Sequence, residues 1–199
     1  MNKHLLKQKL IAIIIAGFAA IAPLSAQTSG TCGTSLTWQL TGSGSDLTLT
    51  ITGSGEMTDY WGVNPPWYSE RADIKTLVLP SGITKIGSDA FYRCSGITSV
   101  TIPNNITSIG NDAFRECTNL QTLNFNAANC TTMGSSSYPS FSACTALTTL
   151  NIGSEVKNIP DYAFYGRPLT SVMIPNGVLS IGTEAFYGCS QLQSVIIPA

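Results

Sequence analysis

Three acidic residues occupy the same position in a recurring phrase of the sequence. Asp89, Asp112 and Glu184 each stand two residues before a phenylalanine, in the pattern Ile-Gly-x-Asp/Glu-Ala-Phe. Paired carboxyl groups hydrolyse glycosides only when their environments give them different protonation states. Equivalent positions in a repeat lack that difference. The pattern instead predicts that each acid lies in the first turn of a short helical segment, where a negative charge favours the positive end of the helix dipole.

Three further acids, Asp59, Glu70 and Asp73, lie near an aromatic stretch, "TDYWGVNPPWYSE". A glycosidase with two catalytic carboxylates is the enzyme hypothesis that these acids raise, but nothing in their spacing predicts a pair at catalytic distance. We therefore expect a protein that is not an enzyme and has no catalytic residues.

Four cysteines form a second column, three residues after the phenylalanines: Cys94, Cys117, Cys144 and Cys189. Two hypotheses are open for them. They are either small apolar fillers or partners in disulfides between neighbouring repeats, which an oxidising compartment permits. Recurrence in each repeat favours the filler. Cys32 and Cys130 lie outside the column, and the spacing is unlike that of a zinc site, so we expect neither metal nor cofactor.

The first 26 residues have the features of a secretory signal peptide. Lys3, Lys7 and Lys9 precede 13 apolar residues, and "PLSA" supplies a small-residue cleavage site before Gln27. The apolar run is too short to span a membrane. The absence of cysteine at position 27 argues against lipid attachment. We expect cleavage after residue 26 and a secreted or cell-surface location, with no membrane span in the mature chain.

Signal cleavage has two chemical consequences. The net charge changes from −1 to −4, because three of ten basic residues and none of eleven acidic ones are lost. An acidic exported chain is not suited to nucleic acid. His4, the sole histidine, also leaves, which excludes histidine-dependent triads and histidine-ligated metals from the mature chain. Apolar residues make up 43% and charged residues only 11%, so ionic recognition is not the main chemistry expected.

A repeat of about 23 residues must position all these side chains. Segments begin at Ile74, Ile97, Leu120, Leu147, Leu169 and Leu192, with steps of 23, 23, 27, 22 and 23 residues. Each opens with a strand-like phrase, such as "ITSVTIP", whose fourth and sixth residues are apolar and flank an outward residue. A turn and a second apolar phrase follow. A period of this length with one strand per unit is typical of a leucine-rich-repeat solenoid.

Stacked repeats bury their apolar residues in ladders between coils. The sequence predicts three interior ladders: Ile83/Ile106/Val156/Val178, Ile86/Ile109/Met133/Ile159/Ile181 and Phe91/Phe114/Phe141/Phe164/Phe186. The opening strands should pair side by side into a parallel sheet, on the concave face of the solenoid, with short helical or irregular segments on the convex side.

The repeat unit L-T-S-V-x-I-P-x-x-V-x-x-I-G-x-x-A-F-x-x-C resembles the BspA-like leucine-rich repeats, which occur on bacterial surface proteins and in some parasitic protists. The resemblance covers residues 74–199, with five nearly complete copies and a partial sixth. It implies a surface-exposed, adhesin-like role. Two departures stand out. The third copy has four extra residues near "GSSSYPSF", expected to bulge as a loop, and the fourth has Arg167 in place of cysteine.

Residues 27–73 do not follow the repeat pattern, and we expect them to form an N-terminal cap. "SLTWQLTGSGSDLTLTITGSGEM" alternates apolar and polar residues around a Gly-Ser turn, which predicts a β-hairpin. The segment is also similar to the short β module that often precedes BspA-like repeats. All three tryptophans lie here, Trp38, Trp61 and Trp67, with Tyr60 and Tyr68 beside them. They either seal the apolar end of the first coil or contact a glycan or protein; the pattern favours sealing.

The outward strand positions are the candidate partner-binding residues. They form a hydroxyl column and a second, mixed column: Thr76, Ser99, Thr122, Thr149, Ser171 and Ser194, and Val78, Thr101, Asn124, Asn151, Met173 and Ile196. A flat, uncharged face suits an extended partner better than a small molecule, although serine and threonine are also ordinary exposed strand residues.

These observations predict an adhesin-like scaffold that binds a host or matrix protein. The alternative is a carbohydrate-binding module that uses Tyr60, Trp61, Trp67 and Tyr68. The sequence stops at Pro198-Ala199, directly after a strand and without a polar cap. Two interpretations follow: the chain is a piece of a longer protein, which the pattern favours, or its apolar end pairs with something.

Overall fold

The structure is a computed structural model that describes residues 28–197. The expected signal peptide and the last two residues lie outside the described range. Within that range the chain forms fourteen β-strands and a single short 3₁₀ helix, Tyr68–Glu70, with no α-helix. The strands are β1 (Ser29–Thr31), β2 (Leu36–Ser43), β3 (Asp46–Glu56), β4 (Ile74–Val78), β5 (Gly82–Ile86), β6 (Ser99–Ile102), β7 (Ser108–Ile109), β8 (Thr122–Phe125), β9 (Thr132–Met133), β10 (Thr149–Ile152), β11 (Asn158–Ile159), β12 (Ser171–Met173), β13 (Ser180–Ile181) and β14 (Ser194–Ile196).

The N-terminal cap is built on the hairpin that the sequence predicts. Strands β2 and β3 pair antiparallel from Leu36 opposite Gly53 to Ser43 opposite Asp46. A two-residue turn joins them, and Gly44 adopts a φ of 57° there, a value that glycine reaches without steric cost. Strand β1 adds to the outer edge of β2. Alternate side chains of β2 are buried, so one face of the hairpin covers the core.

Strand β3 pairs with both strands of the first coil. The first half of β3 pairs parallel with β4, from Leu47 opposite Ile74 to Thr50 opposite Val78. Its second half pairs parallel with β5, beginning at Ser54 opposite Gly82. One eleven-residue strand therefore supplies a neighbour to both strands of the first coil, which is the capping role expected of this region.

Five of the six predicted strand phrases form one parallel sheet, in the order β14-β12-β10-β8-β6. Equivalent residues face each other, with Val100 opposite Leu123 and Leu123 opposite Leu150. The repeat-solenoid prediction is confirmed. The first phrase differs: β4 pairs with β3 and belongs to the cap-side sheet, and the described strands contain no ladder between β4 and β6. The expectation of one continuous six-strand sheet is corrected to five strands.

The second apolar phrase of each repeat forms short parallel strands of its own. Strands β5, β7 and β9 continue from β3, while β11 and β13 pair separately. The interruption falls between the third and fourth coils, at the four-residue insertion. The five-stranded sheet continues through the same coils, since β8 and β10 pair over four residues. The insertion therefore leaves the five-stranded sheet intact and interrupts the other two sides. On the turn side, the hydrogen bonds of the type Phe114 N–H to Ser140 O resume only with Phe164 N–H to Ala185 O, between the fourth and fifth coils.

The third side of each coil consists of turns, and the helical part of the prediction is wrong for it. The turns bond across coils, with the N–H groups of Phe91 and Phe114 donating to Ala113 O and Ser140 O at 2.8 and 2.7 Å. Asp89, Asp112 and Glu184 have φ values of 55°, 53° and 53°. These residues are in the left-handed region, so they do not lie in the first turn of a helix.

The predicted ladders form the core through the fourth coil, whereas in the fifth coil Val178 and Phe186 are partly buried and Ile181 is 45% exposed. Phe91 and Phe114 stack at 5.0 Å, and Phe114 and Phe141 at 4.9 Å between ring centroids. Beyond the insertion, Phe164 contacts Phe125 edge-on at 5.9 Å. At the N-terminal end Trp67 stacks on Phe91 at 5.8 Å. A cap residue thus extends the phenylalanine stack by one step.

Candidate functional site

The hydroxyl column of the five-stranded sheet lies in register on its outward face. Thr122 faces Ser99 on one side and Thr149 on the other, and Ser171 faces both Thr149 and Ser194. The parallel pairing imposes this alignment, because each coil begins its strand at the same repeat position. Of the twelve candidate residues, only Thr76 and Val78 lie off this sheet, on β4.

The second outward column is partly tied together by side-chain hydrogen bonds. Asn151 Nδ2 donates to Asn124 Oδ1 at 2.8 Å, and Asn124 Nδ2 donates to Thr101 Oγ1 at 3.1 Å. Met173 and Ile196 continue this column as exposed apolar side chains. The face therefore presents a fixed line of amides and hydroxyls that ends in an apolar strip, without any charged residue in the two columns.

The aromatic residues of the cap divide into buried and exposed groups. Trp67 is fully buried, its Nε1–H donates to Ala90 O at 2.9 Å, and its ring meets Trp38 and Tyr60 edge-on. Tyr60 is buried as well, whereas Trp61 is 53% exposed. Trp38 and Trp67 thus occupy the sealing position, and Trp61 offers the exposed tryptophan surface.

A residue that sequence analysis missed accompanies Trp61. The ring of Tyr138, from the insertion in the third repeat, contacts Trp61 edge-to-face, with centroids 4.9 Å apart. The rings lie 77 positions apart in the sequence. The four extra residues could have pointed to Tyr138 as a candidate, because an insertion in a regular repeat is not needed to pack one coil on the next.

The cysteine column is buried and its thiols are free, as the filler hypothesis expects. The structure adds a role that sequence analysis missed. Cys117, Cys144 and Cys189 donate their thiol hydrogens to the phenylalanine carbonyl of the preceding coil, at 3.1–3.2 Å. Burial raises the pKa of Cys94 to about 12. A thiol protonated at neutral pH is a poor nucleophile, so Cys94 is suited to packing and not to nucleophilic chemistry.

Arg167 replaces the cysteine of the fourth repeat and takes over its hydrogen bond. Its Nη1 donates to Phe141 O at 2.8 Å, the carbonyl equivalent to those that Cys117 and Cys144 use. Burial lowers the pKa of Arg167, and its Nε also donates to Tyr165 O at 3.0 Å. The departure from the repeat pattern therefore preserves the contact between coils.

One acid of the aromatic loop, Asp59, is held in structural contacts. Asp59 accepts from Lys85 Nζ at 2.6 Å and from the Ser88 N–H at 2.8 Å. These partners lower its pKa against the opposing effect of burial. Asp59 therefore fastens the loop to the first coil. Within residues 28–197 no cluster of three or more metal-ligating side chains occurs.

Asp89 and Asp112 differ from Asp59, because burial raises the pKa of each. Both lie beside Trp61 and Tyr138, at the rim of a depression of about 400 Å³.

Among the described residues no helix is long and apolar enough to cross a membrane.

A stack of parallel coils with an open polar strand face defines the chain as a leucine-rich-repeat scaffold. The model of the BspA type leucine-rich repeat region matches residues 65–193 in six copies. The chain therefore belongs to this family. Comparison with curated protein sequences finds no significant match.

The chain is similar to solved structures of bacterial leucine-rich repeat proteins. The chain is similar to one from Eubacterium ventriosum, with 27% identity, a TM-score of 0.57, and coverage of 84% of this chain and 43% of that one. A leucine-rich repeat protein from Bacteroides ovatus matches with 25% identity, a TM-score of 0.47, and coverage of 82% and 40%. A leucine-rich cell surface protein from Faecalibacterium prausnitzii matches with 23% identity, a TM-score of 0.46, and coverage of 84% and 54%. The chain thus spans about half the length of these relatives.

Proposed function

We propose that this protein is an exported, surface-exposed scaffold that binds an extended segment of a host or matrix protein. The binding face is the outward side of the five-stranded sheet. The observation that carries the proposal is the register of the hydroxyl column from Ser99 to Ser194, which sets equivalent donors and acceptors side by side across five strands. An extended chain laid across the strands meets one such group at each step of about 4.8 Å.

The chemistry of this face favours a protein over a small ligand. Its two columns carry no charge, so electrostatic steering contributes little, and affinity depends on many hydrogen bonds together with apolar contacts. Met173 is 63% exposed and Ile196 56% exposed, and both lie at one end of the sheet. These side chains supply the apolar anchor that a purely polar face lacks. Export to the surface, which the N-terminal segment predicts, would bring the face to such partners.

The carbohydrate-binding alternative receives less support. Two of its four aromatic residues, Tyr60 and Trp67, are buried in the cap. A sugar ring stacks on an exposed aromatic face, so these two do not serve without opening the cap. Tyr68 is half-buried, and the Arg71 guanidinium lies 3.8 Å from its ring centroid. Trp61 is therefore the one exposed ring of the four.

A matched pair of arginine substitutions tests the sheet face. Thr149→Arg places a long charged side chain at the centre of the hydroxyl column, while Thr145→Arg places the same group on the exposed turn that precedes this strand. The mature chain is assayed for saturable binding to a panel of purified matrix and plasma proteins. We expect Thr149→Arg to weaken binding at least tenfold and Thr145→Arg to leave it unchanged. Equal effects of the two variants, or no saturable binding to any protein of the panel, would contradict the proposal.

A further inference from the structure

A depression of about 400 Å³ lies on the turn side of the solenoid, away from the proposed binding sheet. Three separate parts of the chain form its walls: the aromatic loop of the cap, the turns of the first two coils, and the insertion of the third. Its volume falls in the range of small-ligand sites. The side chains that determine its chemistry are Trp61, Tyr138, Asp89, Asp112 and Arg115.

Two exposed aromatic rings form one corner of this depression. Trp61 and Tyr138 are 53% and 41% exposed and meet at an interplanar angle of 87°. Both are held by local turns. Val63 N–H donates to Tyr60 O at 2.9 Å beneath Trp61. In the insertion, Ser135 and Tyr138 exchange backbone hydrogen bonds of 3.2 and 3.1 Å. Two perpendicular rings enclose a compact group or an alkyl chain, whereas a flat sugar ring needs one open face.

Two carboxylates and one guanidinium lie beside the aromatic corner. Asp112 has a side chain only 5% exposed, and its Oδ2 lies 3.4 Å from Arg115 Nη1. Asp89 has no such partner, since no hydrogen bond to its carboxylate is found within residues 28–197. The charge of Asp112 further raises the pKa of Asp89, beyond the effect of burial, and Arg115 offsets this in part. The group of three keeps one uncompensated negative charge.

The charge balance decides between a neutral and a cationic ligand. A neutral sugar would donate hydrogen bonds but would leave the two carboxylates repelling each other. A cation placed between Asp89 and the aromatic corner removes that repulsion and gains cation–π attraction to the two rings. Arg115 also lies 3.4 Å from Glu116, but Glu116 pairs with Arg93 at 2.7 Å. Arg115 is therefore the counter-ion of Asp112, and the incoming cation pairs with Asp89.

We propose that this pocket binds the protonated amine of a lysine side chain on the protein partner, with Asp89 as its counter-ion and with Trp61 and Tyr138 packed on its alkyl chain. The inference rests on the proposed function in taking a protein as the source of the amine. It also explains the insertion, because the four extra residues bring Tyr138 to Trp61.

A small-molecule titration tests the pocket by itself. The probes are Nα-acetyl-lysine methylamide and Nα-acetyl-norleucine methylamide, which share an alkyl chain and differ in the charged amine. Binding to the mature chain is followed by nuclear magnetic resonance at the Trp61 indole and the Asp89 amide. We expect saturable shifts with the lysine probe and at least tenfold weaker binding of the norleucine probe.

Variants assign the effect to the named side chains. Asp89→Asn keeps the left-handed backbone, which asparagine tolerates, and should weaken lysine binding at least tenfold. Trp61→Ala and Tyr138→Ala, followed at the Asp89 amide, should each weaken it several-fold. Tyr187→Ala is the matched control, because Tyr187 is 62% exposed and stacks on Tyr165 elsewhere on the solenoid.

Binding should also weaken as the pH falls. The charged groups that act on the two acids are the acids themselves, Arg115 and Glu116. Because the pKa values of Asp89 and Asp112 are raised, protonation removes the counter-ion at a higher pH than for an ordinary aspartate. Affinity should be full above these pKa values and lost below them.

Several outcomes would overturn the pocket proposal. They are equal binding of the norleucine probe, equal binding of N-acetylglucosamine, an unchanged Asp89→Asn variant, or no saturable shift up to about 50 mM, which corresponds to less than 2 kcal/mol of binding. Thr149→Arg should leave lysine binding intact. Failure of the sheet proposal and failure of the pocket proposal are therefore distinguishable.

Discussion

The two ends of the solenoid contain the same repeat residues in different environments. In the first coil Ile86 has 0% of its surface exposed, whereas Ile181, its equivalent in the last coil, is 45% exposed. The first coil lies under the β2–β3 hairpin, with Trp67 stacked on Phe91. The last described coil has no covering element, and Val195 and Ile197, which point inward in the repeat pattern, are largely exposed.

The comparison shows that the burial of a repeat residue depends on whether a neighbouring coil covers it, and not on the type of residue. No coil buries its own ladder residues, so each column stays dry only where another layer covers it. Stability should therefore be distributed unevenly, with large effects under the cap and small effects at the uncovered end. Four pairs of substitutions test this expectation, in urea unfolding of the mature chain followed by circular dichroism.

Removing Trp67 should have the largest effect. Trp67→Ala deletes a fully buried ring that stacks on Phe91 and hydrogen-bonds Ala90 O, and it should lower the free energy of unfolding by about 3–5 kcal/mol. The control is Trp61→Ala, which removes an exposed ring and should cost less than about 1.5 kcal/mol. Similar losses in the two variants would show that Trp67 does not seal the first coil.

The same substitution at both ends of one ladder measures the comparison directly. Ile86→Ala should destabilise by about 2–5 kcal/mol, because the deleted side chain is completely enclosed. Ile181→Ala should cost less than about 1 kcal/mol, because nearly half of that side chain already contacts water. A larger loss at Ile181 would break the comparison.

Arg167 provides a test in the region between the two ends. Arg167→Ala removes the side-chain donor of Phe141 O, which then keeps only the Cys144 N–H at 3.2 Å. The loss of this hydrogen bond should cost about 0.5–1.5 kcal/mol. Arg167→Cys restores the thiol donor of the other repeats and should recover most of this loss. If the cysteine variant is no more stable than the alanine variant, the shared carbonyl contact is not what the column provides.

The smallest effects should come from the left-handed turn position two residues after the phenylalanines. Gly166 has a φ of 69° and open space around its Cα, so Gly166→Ala should cost only the backbone strain of about 1 kcal/mol. Ala143 occupies the equivalent position with a φ of 54°. Ala143→Gly relieves the strain but loosens the unfolded chain, for a net gain of about 0.5 kcal/mol. Opposite signs in the two variants are the expected result.

The repeat period and the alternation of apolar residues allowed the solenoid, the hairpin cap and the ladder residues to be predicted from the sequence. These features depend on local spacing, which the chain carries in every repeat. The helical turns were predicted wrongly. An acid followed by alanine and phenylalanine resembles the start of a helix, but hydrogen bonds between coils, such as Phe91 N–H to Ala113 O, hold these segments as turns.

The sequence by itself determined which residues point inward, which face outward and where the chain repeats. These properties follow from the two-residue period of a strand and from the stacking of equivalent residues in successive repeats. Only the tertiary structure decided which equivalent residues are dry and which distant side chains meet. Trp61 and Tyr138 contact each other because the cap and the third coil converge on one side of the stack. No local pattern encodes such a contact, since it depends on how three separate segments pack.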